Sequence, residues 1–135
     1  MKKHHREISE NSVLTTGVFS DKGYDAMKIL ILKNDLPEAI FCFNDPTALG
    51  ALKAIKEEGL KCPDDIALVG FSETELAQLV DPPLTSVQQP SFEMGEVAAR
   101  LLIAQITQNP PPEPETICLT AKLNVRKSSI NVKNN

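Results

Sequence analysis

Three pairs of polar residues follow apolar segments of this 135-residue chain and carry side chains suited to ligand binding. Asn44-Asp45 follows AIFCF, Ser72-Glu73 follows IALVGF, and Gln88-Gln89 follows LTSV. Parallel α/β sheets bind ligands beyond the carboxyl ends of their strands, which is where these pairs would lie. Amide and hydroxyl groups donate and accept hydrogen bonds in fixed geometry, which suits a polyhydroxylated ligand such as a sugar. The alternative is that Asp45 and Ser72 only cap the helices that follow, and one residue can do both.

Motifs of known enzyme classes are incomplete in this sequence. The segment GFSET resembles the start of a nucleophile elbow, but Thr74 stands where that motif needs glycine, and no histidine follows Ser72. The chain contains neither GxxxxGK[ST] nor GxGxxG, the glycine-rich patterns that bind phosphates. The paired acids Asp64 and Asp65 precede a strand and so lie at the wrong edge for catalysis. We therefore expect a binding protein with no catalytic residue and no cofactor.

Helical and extended patterns alternate along the chain. A buried strand is predicted at 39–43 and a second one at 66–71, with a third extended segment at 84–87. Helices are predicted at 22–33, from an N-cap at Asp45 to Gly59, from Ser72 to about 80, and from Ser91 to 108, and one or two strands lie within 115–125. This order predicts an α/β fold, a parallel sheet flanked by helices. The strands are too few for a complete doubly wound sheet, so the sequence indicates part of a larger α/β protein.

Composition excludes several classes of protein. The chain has 14 basic and 18 acidic residues, a net charge of −4, and no tryptophan, which argues against a nucleic-acid-binding surface. It has no apolar run of the roughly 18–20 residues that a membrane helix needs, and MKKHHREISENS is not a secretory signal. The three cysteines, Cys42, Cys62 and Cys118, are widely spaced, so we expect buried or half-buried free thiols and no metal site. These features favour a cytoplasmic protein without membrane partners.

Several blocks of the sequence are similar to one protein family. IFCFND, ALGAL, EEGLKCPDDIALVGF, PPLTSVQQP and MGEVAARLL match, in order and spacing, the C-terminal part of the effector-binding domain of LacI/GalR-family bacterial transcription regulators. The resemblance covers residues 17–129, with a tail or partial helix at 1–16 and a tail at 130–135. It implies the C-terminal lobe, here incomplete, of a type I periplasmic-binding-protein-like fold.

The resemblance also implies which residues contact the effector. The contacting asparagine of the family falls on Asn44, the contacting glutamine on Gln89, and the stacking aromatic on Phe19 or its neighbour Val18. Asp45 and Ser72 complete the candidate set. The family usually has aspartate where this chain has Ser72, so the position can form hydrogen bonds but carries no charge, and Glu73 is a candidate substitute for that acid.

The family's architecture sets the remaining expectations. Its members bind a small effector between two lobes and bind operator DNA as dimers through a helix-turn-helix, and the segments that match this chain include neither the helix-turn-helix nor the N-terminal lobe. A homodimer with a sugar or similar effector is therefore expected. Two alternatives are a fragment of a periplasmic sugar-binding protein of a transport system, and a remnant with no affinity for an effector. We also expect the long helix from Ser91 and the closing strands to cause self-association.

Overall fold

The computed structural model describes residues 12–33 and 36–130. Expectations for residues 1–11 of the first tail and 131–135 of the last lie outside this part of the chain. The described chain forms four helices and four strands, in the order α1 (Ser20–Leu32), β1 (Ala39–Phe41), α2 (Asp45–Glu57), β2 (Ala67–Phe71), α3 (Leu76–Leu79), β3 (Thr85–Gln88), α4 (Ser91–Thr107) and β4 (Lys122–Asn124).

The four strands form one sheet in the order β1-β2-β3-β4. β1, β2 and β3 are parallel, as predicted, and Phe41 pairs with Val69. β4 runs antiparallel to β3, with Leu123 opposite Val87, so the sheet is mixed and the expectation of a wholly parallel sheet needs this correction. The sequence predicts one or two strands within 115–125, and the structure forms one, β4.

The core lies on one face of the sheet. Leu68 of β2 and Leu84, just before β3, are fully buried there together with Met27 of α1 and Ile55 of α2. Helices α1 and α2 therefore cover this face.

The opposite face of the sheet is apolar but exposed. Cross-strand register places Phe41, Phe71, Val87 and Leu123 on it, and the rings of Phe41 and Phe71 meet edge to face with centroids 6.4 Å apart. Phe41 is 64% exposed and Leu123 56%. The expectation of a buried strand at 39–43 is thus wrong for this second face, because no described helix packs over it.

Two glycines allow α1 and α2 to touch through their backbones. A Cβ on Gly50 would lie 1.8 Å from the carbonyl oxygen of Ser20, and one on Gly23 would lie 2.0 Å from that of Thr47. Any larger residue would force the helices apart. This contact places the N-terminus of α1 beside the N-terminus of α2, where Asn44 lies.

The helix caps differ from those predicted. Asn44, rather than Asp45, caps α2, since its side chain accepts a hydrogen bond from the Thr47 N–H. Neither Ser72 nor Ser91 caps a helix: α3 begins only at Leu76, and α4 begins at Ser91 itself without a side-chain cap. Gly59 follows α2 with φ +72°, which confirms its predicted role as the residue that ends this helix.

Helix α4 exposes its apolar side chains. None of its residues is buried, and the exposed ones include Phe92, Leu102, Ile103 and Ile106. Within the described chain, α4 is joined to the sheet only through the segment Gln88 to Ser91 and the return to β4.

The close contact of α1 and α2 predicts opposite effects of two glycine-to-alanine changes. Gly50→Ala should destabilise the fold by about 1–3 kcal/mol, because the methyl group overpacks the helix contact. A Cβ added at Gly95 in α4 would meet no atom within 4 Å. Gly95→Ala should therefore stabilise the fold by up to ~1 kcal/mol, the difference in helix propensity between alanine and glycine. Urea unfolding followed by circular dichroism measures both. Equal changes in the free energy of unfolding for the two variants would show that Gly50 is not needed for the contact between α1 and α2.

The exposed face of α4 predicts self-association of this chain. Light scattering at rising concentration should give a mass above that of a monomer, and replacing both Leu102 and Ile106 by lysine should lower it. Glu93→Lys, in the first turn of α4, is the control for added positive charge and should leave the mass unchanged. A monodisperse wild-type monomer would contradict this expectation.

Candidate functional site

The three polar pairs lie at one edge of the sheet, as the strand order predicts. β1, β2 and β3 are parallel neighbours, so Asn44, Ser72 and Gln89 all follow carboxyl ends of strands on the same side. The Ser72 hydroxyl donates a hydrogen bond to Oε1 of Gln89 at 3.2 Å. The structure thus brings two of the predicted site residues into direct contact.

Asn44 joins this edge to the segment before α1. Its Oδ1 accepts the Thr47 N–H at 2.9 Å, and its Nδ2 donates to the carbonyl oxygen of Val18 at 2.9 Å. Phe19 is the next residue, and its ring is 69% exposed. Because the amide nitrogen of Asn44 carries two hydrogens, one N–H remains for a ligand among the described contacts.

Asp45 lies inside the protein. It is fully buried, its Oδ1 accepts the Ser86 hydroxyl at 2.6 Å, and its Oδ2 accepts the Thr74 N–H at 2.8 Å. Gly70 leaves room for this carboxylate, since a Cβ there would lie 2.2 Å from Oδ1. Asp45 therefore ties the loop after β1 to the loop after β2 and to β3, and its carboxylate is enclosed by protein groups.

Ser72 has a left-handed backbone, with φ +71°. The carbonyl oxygen of Val87 accepts the N–H of Ser72 at 2.9 Å and that of Glu73 at 3.2 Å, which holds the loop against β3. This conformation explains why Ser72 does not start a helix.

Glu73 is held by residues from the end of β4. Its side chain is only 7% exposed and forms an ion pair with Arg126 and a hydrogen bond with Asn124. Burial works to raise the pKa of Glu73, but these two partners outweigh it and hold the pKa below its usual value. The carboxylate therefore stays ionised at neutral pH and is occupied by protein groups, so it does not replace the missing acid at position 72.

An open hollow of about 490 Å³ lies where the loops after β2 and β3 meet the start of α4. It is lined by Ser72, Glu73, Gln88, Gln89, Pro90, Ser91, Phe92 and Glu93. Two of the five predicted site residues, Ser72 and Gln89, line it. Asn44 follows the neighbouring strand β1, and Phe19 precedes helix α1.

Two of the three cysteines, Cys42 and Cys62, are unreactive. Burial raises the pKa of the Cys42 thiol to about 12 and that of Cys62 to about 11, so both are neutral thiols. Cys118 is exposed, which corrects the expectation that all three are buried or half-buried. The described residues contain no cluster of histidine, cysteine and acidic side chains that could hold a metal ion.

Sequence reasoning missed the partners that hold the site together. Thr74 and Ser86 bind Asp45, and Asn124 and Arg126 bind Glu73. Ser86 and Asp45 are 41 residues apart and Arg126 and Glu73 are 53 apart, so no local pattern could pair them.

The arrangement of sheet, helices and edge residues is that of a known domain family. Residues 1–129 match the model of the periplasmic binding protein-like domain. The chain belongs to this family. It is 39% identical over 108 residues to the HTH-type transcriptional repressor PurR of Histophilus somni, which covers 80% of this chain and 32% of that protein. It is 36% identical over 129 residues to the ribose operon repressor of Escherichia coli, covering 96% of this chain and 39% of that protein.

Solved structures agree with these matches. A complex of the transcriptional regulator CelR with cellobiose superposes with a TM-score of 0.87 at 34% identity, over 95% of this chain and 39% of that one. The fold and the similarity to LacI/GalR-family effector-binding domains, both expected from the sequence, are confirmed. The chain spans about a third to two fifths of the length of these relatives. In the described part of the chain, no helix is long and apolar enough to cross a membrane.

The enclosed position of Asp45 predicts a large effect on stability. Asp45→Ala leaves the Thr74 N–H and the Ser86 hydroxyl buried without their acceptor, at about 1–3 kcal/mol for each group. We expect urea unfolding to show a loss of about 2–6 kcal/mol in total. Asp25→Ala, at an exposed position of α1, is the control and should change stability by no more than about 0.5 kcal/mol. A similar small change in Asp45→Ala would mean that the two loops are held by other contacts.

Proposed function

We propose that this chain is the effector-sensing part of a bacterial transcription regulator and that its effector is a sugar or a similar polyhydroxylated metabolite. The observation that carries the proposal is the neutral set of amide and hydroxyl groups gathered at the carboxyl edge of the sheet. Asn44, Ser72 and Gln89 form this set, and the two nearby acids, Asp45 and Glu73, are occupied by protein groups. The repressors among its relatives support the regulatory role.

The chemistry of these groups suits sugar hydroxyls. The Gln89 amide and the remaining N–H of Asn44 can donate hydrogen bonds to a ligand. The Ser72 hydroxyl donates its hydrogen to Gln89, and its oxygen can still accept from a ligand hydroxyl. The exposed ring of Phe19 offers an apolar surface on which the C–H face of a sugar ring can stack. We assign ligand contact to these four residues and a positioning role to Asp45.

In the whole protein, a second lobe would close over this edge, and effector binding would shift the balance between lobe arrangements. We propose that the protein acts as a homodimer in the cytoplasm and binds operator DNA through a helix-turn-helix outside the matched segment. The free thiols suit a reducing compartment. A transport protein is the second candidate, and the repressor relatives favour the regulator over it.

Calorimetric titration of the full chain with ribose and with cellobiose tests the proposal. Three or four hydrogen bonds at about 0.5–1.5 kcal/mol each give an affinity on the order of millimolar, so both sugars are titrated to tens of millimolar. We expect one of them to bind, and Gln89→Ala or Asn44→Ala to weaken that binding by roughly tenfold.

Gln78→Ala on exposed α3 is the matched control and should bind as the wild type does. Circular dichroism must show that each variant is folded at the titration temperature. Flat titrations of a folded wild-type chain with both sugars would contradict sugar sensing by this lobe.

A further inference from the structure

A group of polar side chains connects Glu73, the residue that follows Ser72, to β4 and the residues after it. Glu73 pairs with Arg126, whose guanidinium also donates from Nη1 to the carbonyl oxygen of Leu84 at 2.8 Å. Asn124 donates to Glu73 and, at 3.2 Å, to Oε1 of Gln88. Glu73 is therefore anchored to both β3 and β4.

Ser72 needs such an anchor. Its φ of +71° is a backbone conformation that residues other than glycine rarely adopt and that surrounding contacts must hold. The Val87 carbonyl accepts hydrogen bonds from the N–H groups of Ser72 and Glu73. The Glu73 side chain is held in turn by Asn124 and Arg126. In this turn the Ser72 hydroxyl donates a hydrogen bond to Oε1 of Gln89.

We propose that Arg126, through its ion pair with Glu73, is a positioning residue that holds Ser72 in its left-handed conformation and so aligns Ser72 and Gln89 for the ligand. The inference deepens the proposed function and depends on it for the ligand. The described hydrogen bonds of the Arg126 side chain go to Glu73 and to the Leu84 carbonyl, and not to Ser72 or Gln89. Arg126 acts through Glu73, the residue that follows Ser72 in the chain.

The geometry favours arginine for this role. Its side chain is 18% exposed and that of Glu73 is 7% exposed, so solvent screens the pair only weakly. The planar guanidinium binds Glu73 and the Leu84 carbonyl together, which a single ammonium group does less well. The backbone N–H of Arg126 also donates to Oγ1 of Thr85 at 2.7 Å, which fixes the arginine against β3.

Arg126→Met and Lys127→Met form a matched pair of variants for the test. Both remove one positive charge from adjacent positions, but Lys127 is exposed and carries no ion pair among the described contacts. Two readouts are made on the full chain below the unfolding temperature of each variant. The first is the intraresidue NOE between the amide proton and Hα of Ser72, which is strong for a left-handed residue. The second is the affinity for ribose and for cellobiose by calorimetry.

We expect Arg126→Met to lose the strong Ser72 NOE and to weaken binding of the sugar that the wild type binds by about 2- to 10-fold, the lower part of the range for coupled residues. Lys127→Met should change neither readout, and Arg126→Lys should restore part of both. If Arg126→Met does not fold, Glu73→Gln, which keeps the size of the side chain and removes its charge, takes its place with the same expected losses.

Two results would overturn the proposal. A strong Ser72 NOE that persists without the ion pair shows that the turn does not depend on Arg126. A lost NOE with unchanged sugar affinity shows that the turn does not position the ligand-binding groups. If the wild type binds neither sugar, the proposed function fails separately, and the NOE still decides whether the pair holds the turn.

Discussion

The buried carboxylate of Asp45 is the contact on which the ligand edge of this protein depends. Burying a carboxyl group is costly unless hydrogen bonds compensate for it, and here the Thr74 N–H and the Ser86 hydroxyl do so. These donors come from the loop after β2 and from β3, so one side chain fixes three neighbouring segments. Gly70 is required beneath it, because a Cβ would lie 2.2 Å from Oδ1. This contact therefore helps to position Asn44, Ser72 and Gln89, which lie close to these segments in the chain.

The alternation of elements and the polar edge could be predicted from the sequence because both depend on local patterns. The apolar run that contains β2 and the glycine that ends α2 are visible in a few residues, and the rule for parallel sheets brings the residues after each strand to one edge. The polar pairs that contain Asn44, Ser72 and Gln89 were predicted to share one edge in this way. The direction of β4 and the exposed second face depend on contacts between distant segments, and local patterns do not contain that information.

The caps show how a local rule fails for a physical reason. Both Asn44 and Asp45 can cap a helix, and the sequence favoured Asp45 because Pro46 follows it. The structure uses Asn44, since an asparagine can accept from Thr47 and donate to Val18 at once, whereas a carboxylate can only accept. The Asp45 side chain is therefore not needed as a cap, and it is buried inside the protein. Ser72 does not cap a helix because its left-handed backbone, with φ +71°, is not the extended conformation of a cap residue.

The position of Gln89 links the ligand edge to the longest helix. Gln89 follows β3 directly and is separated from α4 only by Pro90, whose ring restricts the backbone between them. Among the described residues, α4 buries none of its own side chains, so little besides this segment fixes its direction relative to the sheet. A ligand that binds the Gln89 amide would therefore constrain the start of α4 as well as the sheet edge. Such a connection can pass a binding event to distant parts of the protein, because it biases the orientation of one rigid element against another.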